Sequence, residues 1–189
     1  ERTYKDLVSE MSSKTFGNRW IAAFELSKLL ASSSIPQNEI PSLVEDLTQI
    51  YKTTDDIRTK DFLIVAIGTL KSESSLPLLA FVLENEKDPN ILFHAIIALG
   101  NMPPGIAFDF KNLIGFLDSS DVALNQAAIL ALASHKVADA NPKIESFLTS
   151  KELSLKYSSA IALINLKNPK VIPVVNEIFD IVTHKNFTP

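Results

Sequence analysis

Histidine is the side chain most able to move a proton or hold a metal near neutral pH, and this chain has three, His94, His135 and His184. They stand in separate segments. None has another histidine at metal-ligand spacing along the chain, and the His-Glu-x-x-His pattern of a zinc helix is missing. The absence of cysteine removes disulfides, thiolate metal sites and a thiol nucleophile. No Gly-x-Ser-x-Gly elbow and no glycine-rich phosphate loop occurs either. Polar clusters do recur, at Thr54-Asp55-Asp56, Lys87-Asp88-Pro89-Asn90, Asp118-Ser119-Ser120-Asp121 and Ser150-Lys151-Glu152. None is the twelve-residue loop of alternating acids that calcium needs, so they read as helix N-caps, whose oxygens accept from orphan amides. No catalytic constellation, metal site or cofactor is expected, and the chain is not read as an enzyme. What remains is the chemistry of a surface: hydrogen bonding and apolar contact.

The elements that carry this surface are visible as a phrase repeated five times: Arg19-Trp-Ile-Ala-Ala-Phe-Glu-Leu-Ser-Lys-Leu29, Lys60-Asp-Phe-Leu-Ile-Val-Ala-Ile-Gly-Thr-Leu70, Leu92-Phe-His-Ala-Ile-Ile-Ala-Leu-Gly-Asn-Met102, Asn125-Gln-Ala-Ala-Ile-Leu-Ala-Leu-Ala-Ser-His135 and Lys156-Tyr-Ser-Ser-Ala-Ile-Ala-Leu-Ile-Asn-Leu166. Leu26, Ile67, Leu99, Leu132 and Leu163 fall in register, at intervals of 41, 32, 33 and 31 residues. One such unit cannot bury its apolar face alone and must lean on the next, so a period of this size predicts a stacked solenoid. Second amphipathic segments lie between the phrases, at Pro41–Tyr51, Ser75–Leu83, Phe110–Leu117, Asn141–Leu148 and Pro169–Phe179, with a first one at Tyr4–Met11. Pro41 and Pro169 read as helix starts, where the missing amide costs least, while Pro77 and Pro173 fall in or just after the first turn. The long first interval predicts an extended connection over Ala31–Ile40.

Counting each phrase from zero, offsets three, four, seven and ten form the stripe that faces the paired helix. Offset six is alanine in the last four copies, Ala66, Ala98, Ala131 and Ala162, and offset eight is mostly small. Gly68 and Gly100 at offset eight each cost roughly 1 kcal/mol inside a helix, so close packing against a neighbouring repeat is their expected reason.

These residues resemble the HEAT-repeat family, in the short form found in bilin-lyase-like proteins, whose second helix has an Arg-x-x-Ala-Ala-x-Ala-Leu-Gly-x-Leu consensus. Arg19, Ala22, Ala23, Leu26 and Leu29 match it, as do Ala66, Gly68 and Leu70, and Ala95, Ala98, Leu99 and Gly100. Lys60 and Lys156 replace the arginine; Leu92 and Asn125 abandon it. The resemblance implies an all-α, right-handed α-solenoid of about five helical pairs with a C-terminal capping helix. It would be one domain over 1–189, with approximate repeats 4–31, 40–71, 75–103, 108–136 and 140–167 and a cap at 169–182. HEAT-like iron hydroxylases use His-Glu pairs, and no His-Glu dipeptide occurs. The turn signature of ankyrin repeats and the pattern of tetratricopeptide repeats are absent as well.

Composition narrows the partner. The chain is 46% hydrophobic and 21% charged, has few glycines (5), and carries a net charge of −4 with no basic stripe interleaved with aromatics, which argues against nucleic acid and makes a degenerate DNA-repair solenoid the last alternative. No apolar run approaches membrane-spanning length. The chain opens on Glu1, so an upstream piece is expected to have been removed; cytoplasmic and exported proteins both stay open, the former ahead. A monomer is expected. Offsets two, six and nine are assigned to the open face of the second helices, where a protein or peptide partner would bind. The candidates are Ile21, Lys28, Phe62, Thr69, His94, Asn101, Ser134 and Asn165, with Ile21, Phe62 and Ile97 as the apolar anchor. Trp20 is assigned to the core, and His94 to a partly exposed helix position. A bilin-lyase-like accessory or chaperone subunit is the alternative reading.

Overall fold

The computed structural model describes residues 2–32 and 35–185, and among them the chain is helical throughout, with no strand. The all-α expectation holds. By density of contacts the chain divides into two compact units, Glu1–Phe108 and Asp109–Pro189, where the sequence reading has one domain. The division falls at the end of a helix-free connection holding Pro103, Pro104 and Gly105, whose φ of +88° suits glycine.

The first unit consists of α1 (Tyr4–Glu10), α2 (Phe16–Ala31), α3 (Ile40–Thr53), α4 (Ile57–Leu70), α5 (Leu76–Asn85) and α6 (Pro89–Gly100). Helix α1 packs on α2, α3 on α4, and α5 on α6, while the second helices α2, α4 and α6 pack side by side. The predicted stripe makes the core: Ala22, Ala23, Leu26, Leu63, Ile64, Ile67, Ala95, Ile96 and Leu99 are buried, against Leu43, Leu47, Leu79 and Val82 of the first helices. Within the predicted connection before α3, Ser33 and Ser34 lie outside the described residues, and Gln37–Glu39 form a 3-10 turn.

The second unit holds α7 (Lys111–Gly115), α8 (Val122–Ser134), α9 (Asn141–Ser146), α10 (Leu153–Asn165) and α11 (Ile172–Lys185). Helix α7 packs on α8, α9 on α10, and α8 on α10. The first helices here are short and finish as 3-10 turns, Phe116–Asp118 and Phe147–Thr149. Buried Asn125 donates its amide to the Phe116 carbonyl at 2.8 Å, satisfying one of the acceptors such an end leaves open. That is what Asn125 does in place of the consensus arginine.

Four of the first helices, α3, α5, α9 and α11, start by one device. A 3-10 turn leads into a two-residue Xaa-Pro start at Ile40-Pro41, Leu76-Pro77, Asn141-Pro142 and Ile172-Pro173, and proline in that first turn forfeits no helical bond. The second helices α4, α6, α8 and α10 each follow an acid, Asp56, Asp88, Asp121 and Glu152. Asp88 accepts from the Asn90 and Ile91 amides at 2.9 and 3.1 Å, and Asp121 from Ala123 and Leu124 at 2.8 and 3.2 Å. Asp56 departs from this role. It precedes α4 without capping it, accepting instead from the Thr59 hydroxyl at 2.7 Å and from Arg19 at 3.4 Å.

Helix ends are marked by lysine. Lys71, Lys136 and Lys167 follow α4, α8 and α10 in the left-handed region, at φ 48°, 53° and 55°. After α8 and α10 the next amide reaches back to close a Schellman turn, Val137 to Leu132 and Asn168 to Leu163, both at 2.9 to 3.0 Å.

Candidate functional site

Which face of the second helices is open follows from the helical wheel. At 100° per residue the core stripe leaves offset five within ~10° of the opposite point, and offset six about 90° to one side. Burial agrees. Phe24, Val65 and Ile97 at offset five are 56%, 43% and 37% exposed in the first unit, and Leu130 and Ile161 are exposed in the second. The alanines assigned to the open face, Ala66, Ala98, Ala131 and Ala162, are buried instead. Where second helices stand side by side, only a methyl group fits at that flank.

Gly68 shows how close this approach is, because a Cβ built on it would lie 2.8 Å from the Ala98 Cβ. That matches the close packing expected of it. Gly100 is the last residue of α6 rather than an interior one. Above the Gly68–Ala98 contact lies a groove of about 360 Å³, lined by Ile64, Val65, Gly68, Thr69, Lys71, His94, Ile97, Ala98 and Asn101. Val65 and Ile97 form its apolar walls. Its polar groups are the Thr69 hydroxyl, which donates to the Val65 carbonyl at 3.0 Å and keeps acceptor capacity, with the Asn101 amide, the Lys71 ammonium and the His94 ring. Three of the candidates, Thr69, His94 and Asn101, thus come together, with the anchor Ile97 between them.

His94 has a partner that reading along the chain missed: its Nδ1 lies 2.6 Å from Asp61 Oδ1. The pair joins offset one of α4 to offset two of α6. The same offsets are joined in the second unit, where Gln126 donates to Ser158 at 3.1 Å, so the pair is an inter-repeat staple at the edge of the groove. Comparing offset one of each phrase with offset two of the next would have found it.

The remaining candidates lie elsewhere. Phe62 is half-buried and belongs to an aromatic cluster between α2 and α4, lining a narrow crevice with Phe16, Arg19, Trp20 and Arg58. There Phe16 stacks on Trp20 with ring centroids 6.4 Å apart, and the Arg58 guanidinium sits 4.2 Å from the Phe16 centroid. Trp20 is 55% exposed and not a core residue as assigned, because offset one lies on the flank toward the next repeat. Ile21 is exposed on α2, and Lys28 lies over the Phe24 ring at 4.3 Å. Ser134 and Asn165 are exposed on the second unit, the Ser134 hydroxyl donating to the Ala131 carbonyl at 2.9 Å.

Charge around the first unit is held by local bonds. The Thr59 hydroxyl, together with the Arg19 and Arg58 charges, holds the Asp56 carboxyl below the usual aspartate value. Burial pushes the Tyr51 hydroxyl well above its ordinary value, helped by its 2.8 Å bond to Glu86. Burial works against the Glu86 charge as well, but the amides of Lys87 and Asp88 and the Tyr51 hydroxyl outweigh it and keep that carboxyl low. Among the described residues no group of three or more His, Cys, Asp or Glu side chains is placed to hold a metal ion, and no helix is long and apolar enough to cross a membrane. The groove thus combines apolar walls, Val65 and Ile97, with hydrogen-bonding groups in its lining.

No family model matches the chain, and no curated protein matches it. Solved structures do. The chain superposes on the complex of CpcE and CpcF of phycocyanin lyase from Nostoc sp. PCC7120 with a TM-score of 0.72 and 21% identity, over 94% of this chain and 69% of that one. YibA of Escherichia coli matches with a TM-score of 0.68 and 16% identity, over 92% and 63%, and an engineered protein with 0.61 and 18%, over 100% and 91%. At these identities the likeness shows one thing, a shared helical-repeat fold.

Proposed function

We propose that the chain is a noncatalytic, HEAT-like scaffold that holds a peptide or protein segment on the second-helix face of its first unit. The observation that carries the reading is the exposed row Phe24, Val65 and Ile97 beside the α4/α6 groove. Large apolar side chains left open next to a cleft with amide, hydroxyl and ammonium groups are the ingredients of an anchor-and-rim contact. Its test is a displayed library of random peptides selected on the wild-type chain, with binding read from the single tryptophan, Trp20, which is exposed on the same set of helices. Selected peptides are expected to lose about tenfold or more in affinity, some 1.4 kcal/mol, to Ile97→Glu. Equal affinity at unchanged melting temperature contradicts the reading.

A second reading draws on the fold shared with a phycocyanin lyase subunit: a bilin-lyase-like accessory protein. The groove would then take part of a chromophore or of its acceptor protein. A tetrapyrrole added to the chain should shift its absorbance and lose that shift with Ile97→Glu; an unshifted spectrum removes this reading.

A further inference from the structure

The open face of the first unit's second helices is cationic, in a chain whose net charge is −4. On the helical wheel, the charged residues within about 60° of its centre on α2, α4 and α6 are Lys28, Arg58, Asp61 and His94. The one carboxylate among them, Asp61, is taken by His94 at 2.6 Å. Arg58 sits over the Phe16 ring and reaches Asp56 only at 3.9 Å. Lys28, and Lys71 in the lining of the α4/α6 groove, have no ion pair among the described residues. Building on the scaffold reading, and standing only with it, we propose that the segment held on this face is an acidic peptide: one large apolar side chain enters the groove, and carboxylates beside it meet Lys71 there and Lys28 on α2.

Lys71 makes charge part of the selection. It follows α4 in the left-handed region, at φ 48°, where a glycine would have no Cβ to accommodate and a lysine does. The helix dipole favours a cation at such an end, but a lysine one residue earlier, on ordinary helical backbone, would serve it without that cost. A residue kept in an unfavourable conformation while its side chain lines a groove points to use of that side chain. Its ammonium donates three hydrogen bonds and accepts none, and the groove lining contains no aspartate or glutamate to receive them. A partner carboxylate completes the site, whereas a basic peptide would find no carboxylate on this face that His94 does not already hold. Nucleic acid fits less well, because a phosphate backbone needs a run of cations, and here two lysines stand among the apolar Phe24, Val65 and Ile97.

The test selects two displayed peptide libraries on the 189-residue chain, each with a fixed leucine or phenylalanine, one flanked by Asp and Glu and the other by Lys and Arg. Binders are expected from the acidic library. Their dissociation constants should rise between about 50 and about 300 mM NaCl, and about two- to fivefold with Lys71→Gly, the range of an exposed ion pair. Lys71→Gly should melt at or above wild type, since glycine suits that backbone, and Lys71→Arg should keep the affinity. Weaker binding without weaker folding is a signature that a purely structural lysine would not give. Binders from the basic library, or acidic binders indifferent to both salt and Lys71→Gly, overturn the acidic partner; if Ile97→Glu still abolishes them, the scaffold reading survives. A DNA oligonucleotide that displaces the acidic peptide overturns the peptide as occupant. No binder from either library removes both readings.

Discussion

Gly68 is the residue on which the groove depends. It costs helix propensity in α4, and its return is the contact with Ala98, where an added Cβ would sit 2.8 Å from another. The overpacking of about 1 to 3 kcal/mol exceeds the roughly 1 kcal/mol of propensity regained, so Gly68→Ala is expected to lower the melting temperature. Gly115 supplies the contrast: it ends α7 with nothing within 4 Å of an added Cβ, and Gly115→Ala should stabilise by about 0.4 to 1 kcal/mol. Thermal melts of the two variants check both signs. If Gly68→Ala melts above wild type, the helices can part freely and the groove has no fixed floor. His94 shows the other side of reading single residues: its partner Asp61 stands 33 positions away and becomes visible only when the phrases are aligned with each other.

At the scale of elements, the phrase was a reliable guide to what helices exist and which stripe they bury, because the apolar spacing is the cause of both. Leu26, Ile67, Leu99, Leu132 and Leu163, aligned from sequence, are all fully buried. The open face was less legible, since a polar or small residue can mark either solvent or a close helix contact. The alanines at offset six are small because a neighbouring helix lies against them, and the large residues at offset five are exposed although apolar. Helix ends carried a signal that composition alone does not give: Lys71, Lys136 and Lys167 hold left-handed conformations that disfavour any side chain. Replacing Lys136 by glycine should raise stability by about 0.5 to 1 kcal/mol, whereas Lys136→Ala, which keeps the Cβ, should stay within about 0.5 kcal/mol of wild type. Denaturant titrations of the pair decide whether that turn is strained. Equal stabilities would mean that it is not.

For the whole molecule, repetition made the architecture readable and left the ligand unreadable, because stacking constrains the buried offsets in every copy while the outward ones differ from copy to copy. His94, Asn101 and Thr69 face one groove, yet Phe62 and Trp20 belong to a separate aromatic cluster, and only packing decides which. The central claim is that the first unit's second-helix face does the binding. The most direct measurement is affinity capture from the native organism's extract with three baits of equal melting temperature: wild type, Val65→Glu/Ile97→Glu, and Phe81→Glu, whose substitution lies on the exposed side of α5. The account predicts a protein retained by wild type and by Phe81→Glu and lost by the double variant. Retention by the double variant, or loss with Phe81→Glu alone, would contradict it.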